Sequence, residues 1–186
     1  MAIRMILIGP PGVGKGTQAA LLRDRLKVEH LSSGEIFRAE IDAETDLGRL
    51  AKRYIDEGRL VPNGITVEMM AKRLRKDAVR QHGFILDGYP RTVRQAEELV
   101  KDLEGMGLKI DTVVSLSAPQ EVVVQRLANR GRGDDDEETV RRRMLVFYEE
   151  TEPVIEYFRR QGIFHEVDAN QDVETVYSEV VKGLPV

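Results

Sequence analysis

Short apolar runs rich in β-favouring residues recur along the chain at Met5 to Ile8, Phe84 to Leu86, Thr112 to Leu116 and Phe164 to Val167, with a weaker run at Val28 to Leu31. Between them lie longer stretches whose apolar residues repeat at helical spacing. This alternation predicts an α/β fold, a parallel sheet covered by helices on both faces. Thr17 to Leu26 puts Ala19, Leu22 and Leu26 on one stripe, as a helix packed on a sheet requires. Thr92 and Gln95 have the spacing of a capping box and predict a helix running through Leu103. Pro119 suits the first turn of a helix ending near Arg130. Pro153 falls inside an otherwise helical pattern from Glu137 to Arg160, which predicts a kink or break there.

Two segments look peripheral to the sheet. Ser32 to Val61 holds more helix-length chain than one crossover needs and no strong strand, so it predicts a helical insertion over the sheet edge. Asn129 to Asp136, NRGRGDDD, is a turn dense in glycine and charge. It reads equally as a solvated loop or as a mobile cationic cover. The 186 residues fit one compact domain, with no repeat, low-complexity tract or interdomain linker.

Composition narrows the chemistry. A net charge of −4 argues against nonspecific binding to nucleic acid, so any attraction for phosphate must be local. The absence of cysteine excludes disulfides, thiolate zinc sites and a cysteine nucleophile. His30, His82 and His165 are scattered, none at the spacing of a helical zinc pair, and each reads as structural or surface. No apolar run approaches the length of a membrane span, and Met5 to Ile8 is shorter than the apolar region of a secretory signal; the expectation is a cytoplasmic protein with no membrane partner. Charged residues make up 32% of the chain, above the typical quarter or so, which suggests a surface laced with ion pairs and a raised melting midpoint.

The strongest chemical signal follows the first apolar run. Gly9 to Thr17 reads GPPGVGKGT and has the spacing of a phosphate-binding loop, in which glycines free backbone N–H groups to ring a phosphate and Lys15 supplies a mobile cation. The place after the lysine, normally Ser or Thr, is Gly16, and the hydroxyl comes one later at Thr17; this variant points away from switch GTPases. Phosphoryl transfer needs charge compensation more than a side-chain nucleophile, so arginines should gather near such a loop. The candidates are Arg38, Arg91, Arg126, Arg130, Arg132 and Arg143. Arg126 and Arg130 share a helix face, Arg132 follows Gly131, and the three can converge on one anion. In GFILDGYPRT, Gly83 to Thr92, Asp87 falls at the carboxyl end of a strand, where ligands collect in open α/β sheets.

Five segments in order resemble the nucleoside monophosphate kinases, and within them the short-lid adenylate kinases. They are GPPGVGKGTQ from Gly9, LSSGEIFR from Leu31, GRLVP from Gly58, GFILDGYPRTVRQ from Gly83 and RGRGDDDEETVRRR from Arg130. The resemblance covers essentially the whole chain. It implies a three-layer P-loop fold with a five-stranded parallel sheet, a core of residues 1–31, 62–128 and 136–186, an AMP-binding insertion over 32–61 and a short lid over 129–135. It implies reversible phosphoryl transfer from ATP to AMP giving two ADP, within purine nucleotide interconversion and energy-charge homeostasis. ATP would be held by Gly12, Val13, Gly14, Lys15, Gly16, Thr17, Arg126, Arg130 and Gln171. AMP would be held by Ser33, Arg38, Arg59, Leu60, Val61, Gly88, Tyr89, Pro90, Arg91 and Gln95, with Arg132 and Arg143 bridging phosphates. Lys15, Arg91, Arg130, Arg132, Arg143 and Asp87 would carry the chemistry, Asp87 through water bound to Mg²⁺ that arrives with ATP. Gln95 would read the adenine edge. Zinc is not implied, and a monomer is. Ser33 stands where threonine is frequent and Glu35 where aspartate is frequent. Alternatives are a kinase of the same fold acting on UMP or CMP, which Gln95 disfavours, and a nucleotide-binding regulator without turnover.

Overall fold

A computed structural model of the chain describes residues 2–132 and 135–185. The expected lid over 129–135 includes Gly133 and Asp134, which lie outside the described residues.

Five strands, β1 (Ile3–Ile8), β2 (Glu29–Ser32), β3 (Gly83–Asp87), β4 (Thr112–Ser117) and β5 (Phe164–Asp168), form one sheet in the order β2-β3-β1-β4-β5. All four pairings are parallel, with Leu7 of β1 level with Asp87 of β3 and Ser32 of β2 level with the same aspartate. The carboxyl ends of β1 and β3, neighbours in mid-sheet, therefore open together onto the crevice used by ligands in such folds.

The apolar runs lack clean alternation because the sheet is buried on both faces. Ile6, Ile8, Phe84, Leu86 and Val113 face α4 (Asn63–Leu74), α6 (Val93–Gly105) and α9 (Glu152–Arg159), where Met70, Leu74, Leu99 and Phe158 pack. Met5, Leu7, Ile85, Val114 and Leu116 face α1 (Lys15–Leu26), α7 (Gln120–Arg130), α8 (Glu137–Val146) and α10 (Val173–Lys182), with Leu22, Val123, Leu127, Met144 and Val180. Of the stripe expected on α1, Ala19 and Leu22 are fully buried and Leu26 is partly buried.

Thr92 caps α6 by accepting the N–H of Gln95, as the capping spacing predicts. Pro119 sits at the N-cap of α7, one place before the first turn expected for it. The irregularity expected at Pro153 takes the form of a π-helical turn, Phe147–Thr151, joining α8 to α9. Proline has no N–H to return to a carbonyl four residues back, and a wider turn just upstream accommodates that loss.

The crossover from β2 to β3 contains α2 (Ser33–Asp42), α3 (Asp46–Asp56), α4 and the short α5 (Asp77–His82). The first two fall within residues 32–61, and Gly58 near the end of that segment lies against α8. At φ 68° its backbone is in the left-handed region, and an added Cβ would lie 3.0 Å from the Thr139 carbonyl oxygen. Arg142 donates to the Glu57 carbonyl at 3.0 Å across the same contact.

Candidate functional site

A cleft of about 700 Å³ runs across the carboxyl ends of the strands. One side is the loop from Gly9 to Thr17, which passes from β1 into α1. Gly14 caps α1 in the left-handed region at φ 110° with no side-chain partner, leaving the first-turn N–H groups directed toward the crevice. Gly12, at φ 83°, is pressed against α7, where an added Cβ would approach Leu127 Cγ to 2.6 Å. A larger residue at that place would unseat the loop from the helix carrying Arg126 and Arg130.

Lys15 Nζ donates to the carbonyls of Gly9 at 2.8 Å and Pro10 at 2.9 Å, so the side chain curls over its own loop. Burial lowers its pKa from 10.5 to about 8; Asp87 opposes the shift, while Arg91, Arg143 and Arg130 add to it. Asp87 at the end of β3 is itself buried, which would raise its pKa, yet His30, Lys15 and Arg91 outweigh burial and hold it below the usual carboxylate range. His30 Nε2 lies 3.5 Å from Asp87 Oδ2 and has no closer hydrogen-bond partner. The imidazole of His30 thus borders the Asp87 carboxylate beside the phosphate loop. An added Cβ on Gly16 would lie 3.8 Å from Asp87 Oδ2, so glycine here leaves open the space between loop and carboxylate.

Across the cleft, the loop after β3 is tied together around Gly88. Its carbonyl accepts from Ser33 Oγ at 2.6 Å and from Arg91 Nε at 2.8 Å. The Arg91 N–H donates to Gln95 Oε1 at 2.8 Å, and the Arg91 carbonyl accepts from Thr151 Oγ1 at 3.0 Å. Arg38, Leu60, Val61 and Pro90 also line this side. Arg59 borders the cleft, while its guanidinium turns to Glu57 at 3.0 Å and stacks 5.3 Å over the Tyr54 ring. Tyr89 does not line the cleft; its side chain is in the core, where burial raises the pKa of its phenol.

The basic residues close the remaining walls. Arg126 donates to the carbonyls of Val13 at 3.2 Å and Ala169 at 3.0 Å, which spreads its guanidinium between the phosphate loop and the loop after β5. Gln171 in that second loop donates to the Asp168 carbonyl at 3.0 Å. Arg130 donates through Nε to Asp135 Oδ2 at 2.8 Å, Arg143 to Oδ1 at 3.3 Å, and the Arg132 N–H to Oδ2 at 3.1 Å. The Asp135 carboxylate is only 3% exposed, and despite that burial these partners keep its pKa low. One acid therefore gathers three of the expected arginine positions. Asp135 is hidden in sequence by its place in a run of three aspartates, and Thr151 and His30 by the distance in sequence to their partners.

The cleft thus combines a phosphate-binding loop, an opposed loop with arginine and amide groups, and arginines between them, on a parallel α/β sheet. This is the architecture of a P-loop phosphotransferase. The adenylate kinase family profile matches residues 7–163. The chain is 46% identical over 182 residues to an adenylate kinase of Corynebacterium urealyticum, covering 98% of this chain and 99% of that one. It is 45% identical over 183 residues to one from Nocardia farcinica, with 98% and 99% covered, and 42% identical over 186 residues to one from Thermobifida fusca, with 98% of each covered. The chain belongs to the adenylate kinase family, the nucleoside monophosphate kinases that act as transferases.

Proposed function

We infer that this cleft transfers the terminal phosphoryl group of ATP reversibly to AMP, giving two ADP and interconverting purine nucleotides. The observation that supports this reading best is the opposition, in one cleft, of the Lys15 loop and the Arg91–Gln95 loop with Arg130, Arg132 and Arg143 between them. Donor phosphates would lie on the N–H groups of Gly12 to Thr17 with Lys15 on the transferring group. The donor base would lie under Arg126 near Gln171. Ser33, Arg38, the backbone of Arg59 to Val61, Gly88, Pro90, Arg91 and Gln95 would hold AMP, its own phosphate oxygen attacking in line. Arg132 and Arg143 would compensate charge on both nucleotides. The chemistry asks for positioning and electrostatics rather than a protein nucleophile. Closure of the 32–61 insertion and the 129–135 lid over the rest of the chain would exclude water and prevent hydrolysis of ATP.

Magnesium would arrive with ATP. Among the described residues no group of three His, Asp or Glu side chains forms a metal site, and Glu35 and Asp87 are the only carboxylates among those lining the cleft. One carboxylate beside an open space at Gly16 suits a cation that keeps its waters and most of its ligands from phosphate. Asp87 would orient those waters, and the ion would neutralise charge on the phosphates. A monomer acting in the cytoplasm completes the proposal and rests on likeness to the family. No helix among the described residues is long and apolar enough to cross a membrane.

Initial rates with AMP, CMP and UMP at fixed ATP test the acceptor assignment. AMP should turn over at least tenfold faster than UMP, whose N3–H and O4 present the reverse polarity to the Gln95 amide, and faster than CMP, whose edge has the polarity of adenine on a smaller ring. Faster turnover of either pyrimidine nucleotide would overturn it.

The lowered pKa of Lys15 predicts a linked proton. Folding holds the ammonium at about 8 against 10.5 for the free side chain, so between those values the unfolded chain binds more protons and stability rises with pH. A bound polyphosphate supplies the opposite charge and restores the ammonium. Calorimetric titration with a non-hydrolysable ATP analogue, at a pH one unit above 8 and in buffers of different ionisation enthalpy, should show uptake approaching one proton, absent in Lys15→Met. Equal uptake in the variant would assign the proton elsewhere.

A further inference from the structure

Gln95 is 1% exposed yet borders the cleft, and its amide is held at both ends. The Arg91 N–H donates to Oε1 at 2.8 Å, and Nε2 donates to Asn63 Oδ1 at 2.9 Å. Asn63, the first residue of α4, is held in turn: Thr92 Oγ1 accepts the Gln95 N–H at 3.1 Å and donates to Asn63 Oδ1 at 3.2 Å. The direction of these bonds follows from one backbone donor that cannot be reversed. The Arg91 N–H requires an oxygen, which fixes Oε1. Nε2 is then a donor and requires Oδ1 of Asn63, and the Thr92 hydroxyl, which accepts the Gln95 N–H, turns its proton to that same oxygen.

Each amide atom retains one capacity, a second N–H on Nε2 and a second lone pair on Oε1. An amide locked this way can donate to a ring nitrogen acceptor and accept from a neighbouring amino group, the pattern of adenine at N1 and N6. Hypoxanthine has the same size but the reverse polarity there, an N1–H donor beside an O6 acceptor. It would be matched only by a flipped amide, which would set NH₂ against the Arg91 N–H and the Gln95 oxygen against Asn63 Oδ1, unless Asn63 also turned and gave up the bond it accepts from Thr92.

We propose that Asn63 is a specificity-determining residue of the acceptor site, locking the Gln95 amide so that it accepts a 6-amino purine monophosphate and rejects the 6-oxo purine of the same shape. Asn63 acts through Gln95 and is a positioning residue. The proposal rests on the assignment of AMP to this side of the cleft.

The test is the ratio of kcat/KM for AMP to that for IMP, measured with ATP as donor. Asn63→Leu keeps bulk and removes the acceptor; the ratio should fall about tenfold, the worth of one buried hydrogen bond between neutral groups, with KM for ATP within twofold of the parent. Asn63→Asp retains an acceptor oxygen and should keep the ratio within about threefold. Thr92→Val removes the hydroxyl that orients Asn63, reaches the same lock from its other end, and should lower the ratio about threefold. It decides the matter if Asn63→Leu does not fold. A merely structural role would lower both efficiencies together and leave the ratio unmoved, and that result in a folded Asn63→Leu or Thr92→Val protein overturns the proposal. Failure of the underlying assignment looks different: the parent protein itself would show no preference for AMP over IMP.

Discussion

Lys15→Met should cut turnover about a thousandfold while moving the melting midpoint by only a few degrees. The ammonium lies on the carbonyls of Gly9 and Pro10, within the field of Asp87 and of Arg91, Arg130 and Arg143. On the proposed reading a cation placed there would act on charge that develops on the transferring phosphoryl group, where one preorganised donor is worth about 10²–10³ in rate. Its contribution to folding is of another order. Burial and the surrounding arginines disfavour the charge, as the lowered pKa shows, so methionine relieves a desolvated cation while leaving two carbonyls without their donor. These effects oppose each other and should leave stability within about 1 kcal/mol, or roughly 2–4 °C in a chain of this size. Steady-state ADP formation and a thermal scan on the same preparation separate the two. Retained turnover would remove Lys15 from the chemistry, and a large fall in the midpoint would make its role structural.

Much of the fold is legible in the chain because burial on both sheet faces writes strands as continuous apolar runs. Met5 to Ile8, Phe84 to Leu86, Thr112 to Leu116 and Phe164 to Val167 all fall within strands. The weak run at Val28 to Leu31 marks β2, an edge strand of four residues whose first, Glu29, is exposed. The strand order is not written in any local pattern. It depends on crossovers, and the longest holds four helices of which periodicity separates few; α4 and α5 run together in sequence, and α10 follows a loop dominated by polar groups.

The site divides the same way. The phosphate loop is legible because its backbone conformation demands glycines at fixed places, and the loop across the cleft because Asp87 closes the apolar strand before it. Residues that act on these through space leave no local trace. Thr151 reaches the Arg91 carbonyl across 60 positions, Asn63 reaches Gln95 across 32, and Arg126 reaches Val13 across 113. Asp135 is distinguished from Asp136 beside it by its burial among Arg130, Arg132 and Arg143.

Arg91→Ala should lower kcat/KM for AMP by about a thousandfold and leave KM for ATP within twofold. The side chain is fixed by Nε on the Gly88 carbonyl, and its backbone is pinned at both ends by Gln95 and Thr151. That immobility matters energetically. A fork held before the ligand arrives loses little entropy on binding phosphate, and a thousandfold corresponds to about 4 kcal/mol, within reach of a charge-assisted pair whose truncation leaves an anion uncompensated. Because the N–H that orients Gln95 belongs to the backbone, alanine keeps the AMP-over-IMP ratio even as both efficiencies fall, which separates charge recognition from base recognition. Arg91→Lys should restore little, since a single ammonium cannot reproduce the planar pair of donors. Steady-state kinetics with each nucleotide varied in turn decide the point. If AMP kinetics are unchanged in Arg91→Ala, the acceptor phosphate does not lie at this loop, and the opposition of two nucleotide sites across the cleft would have to be redrawn from Arg38.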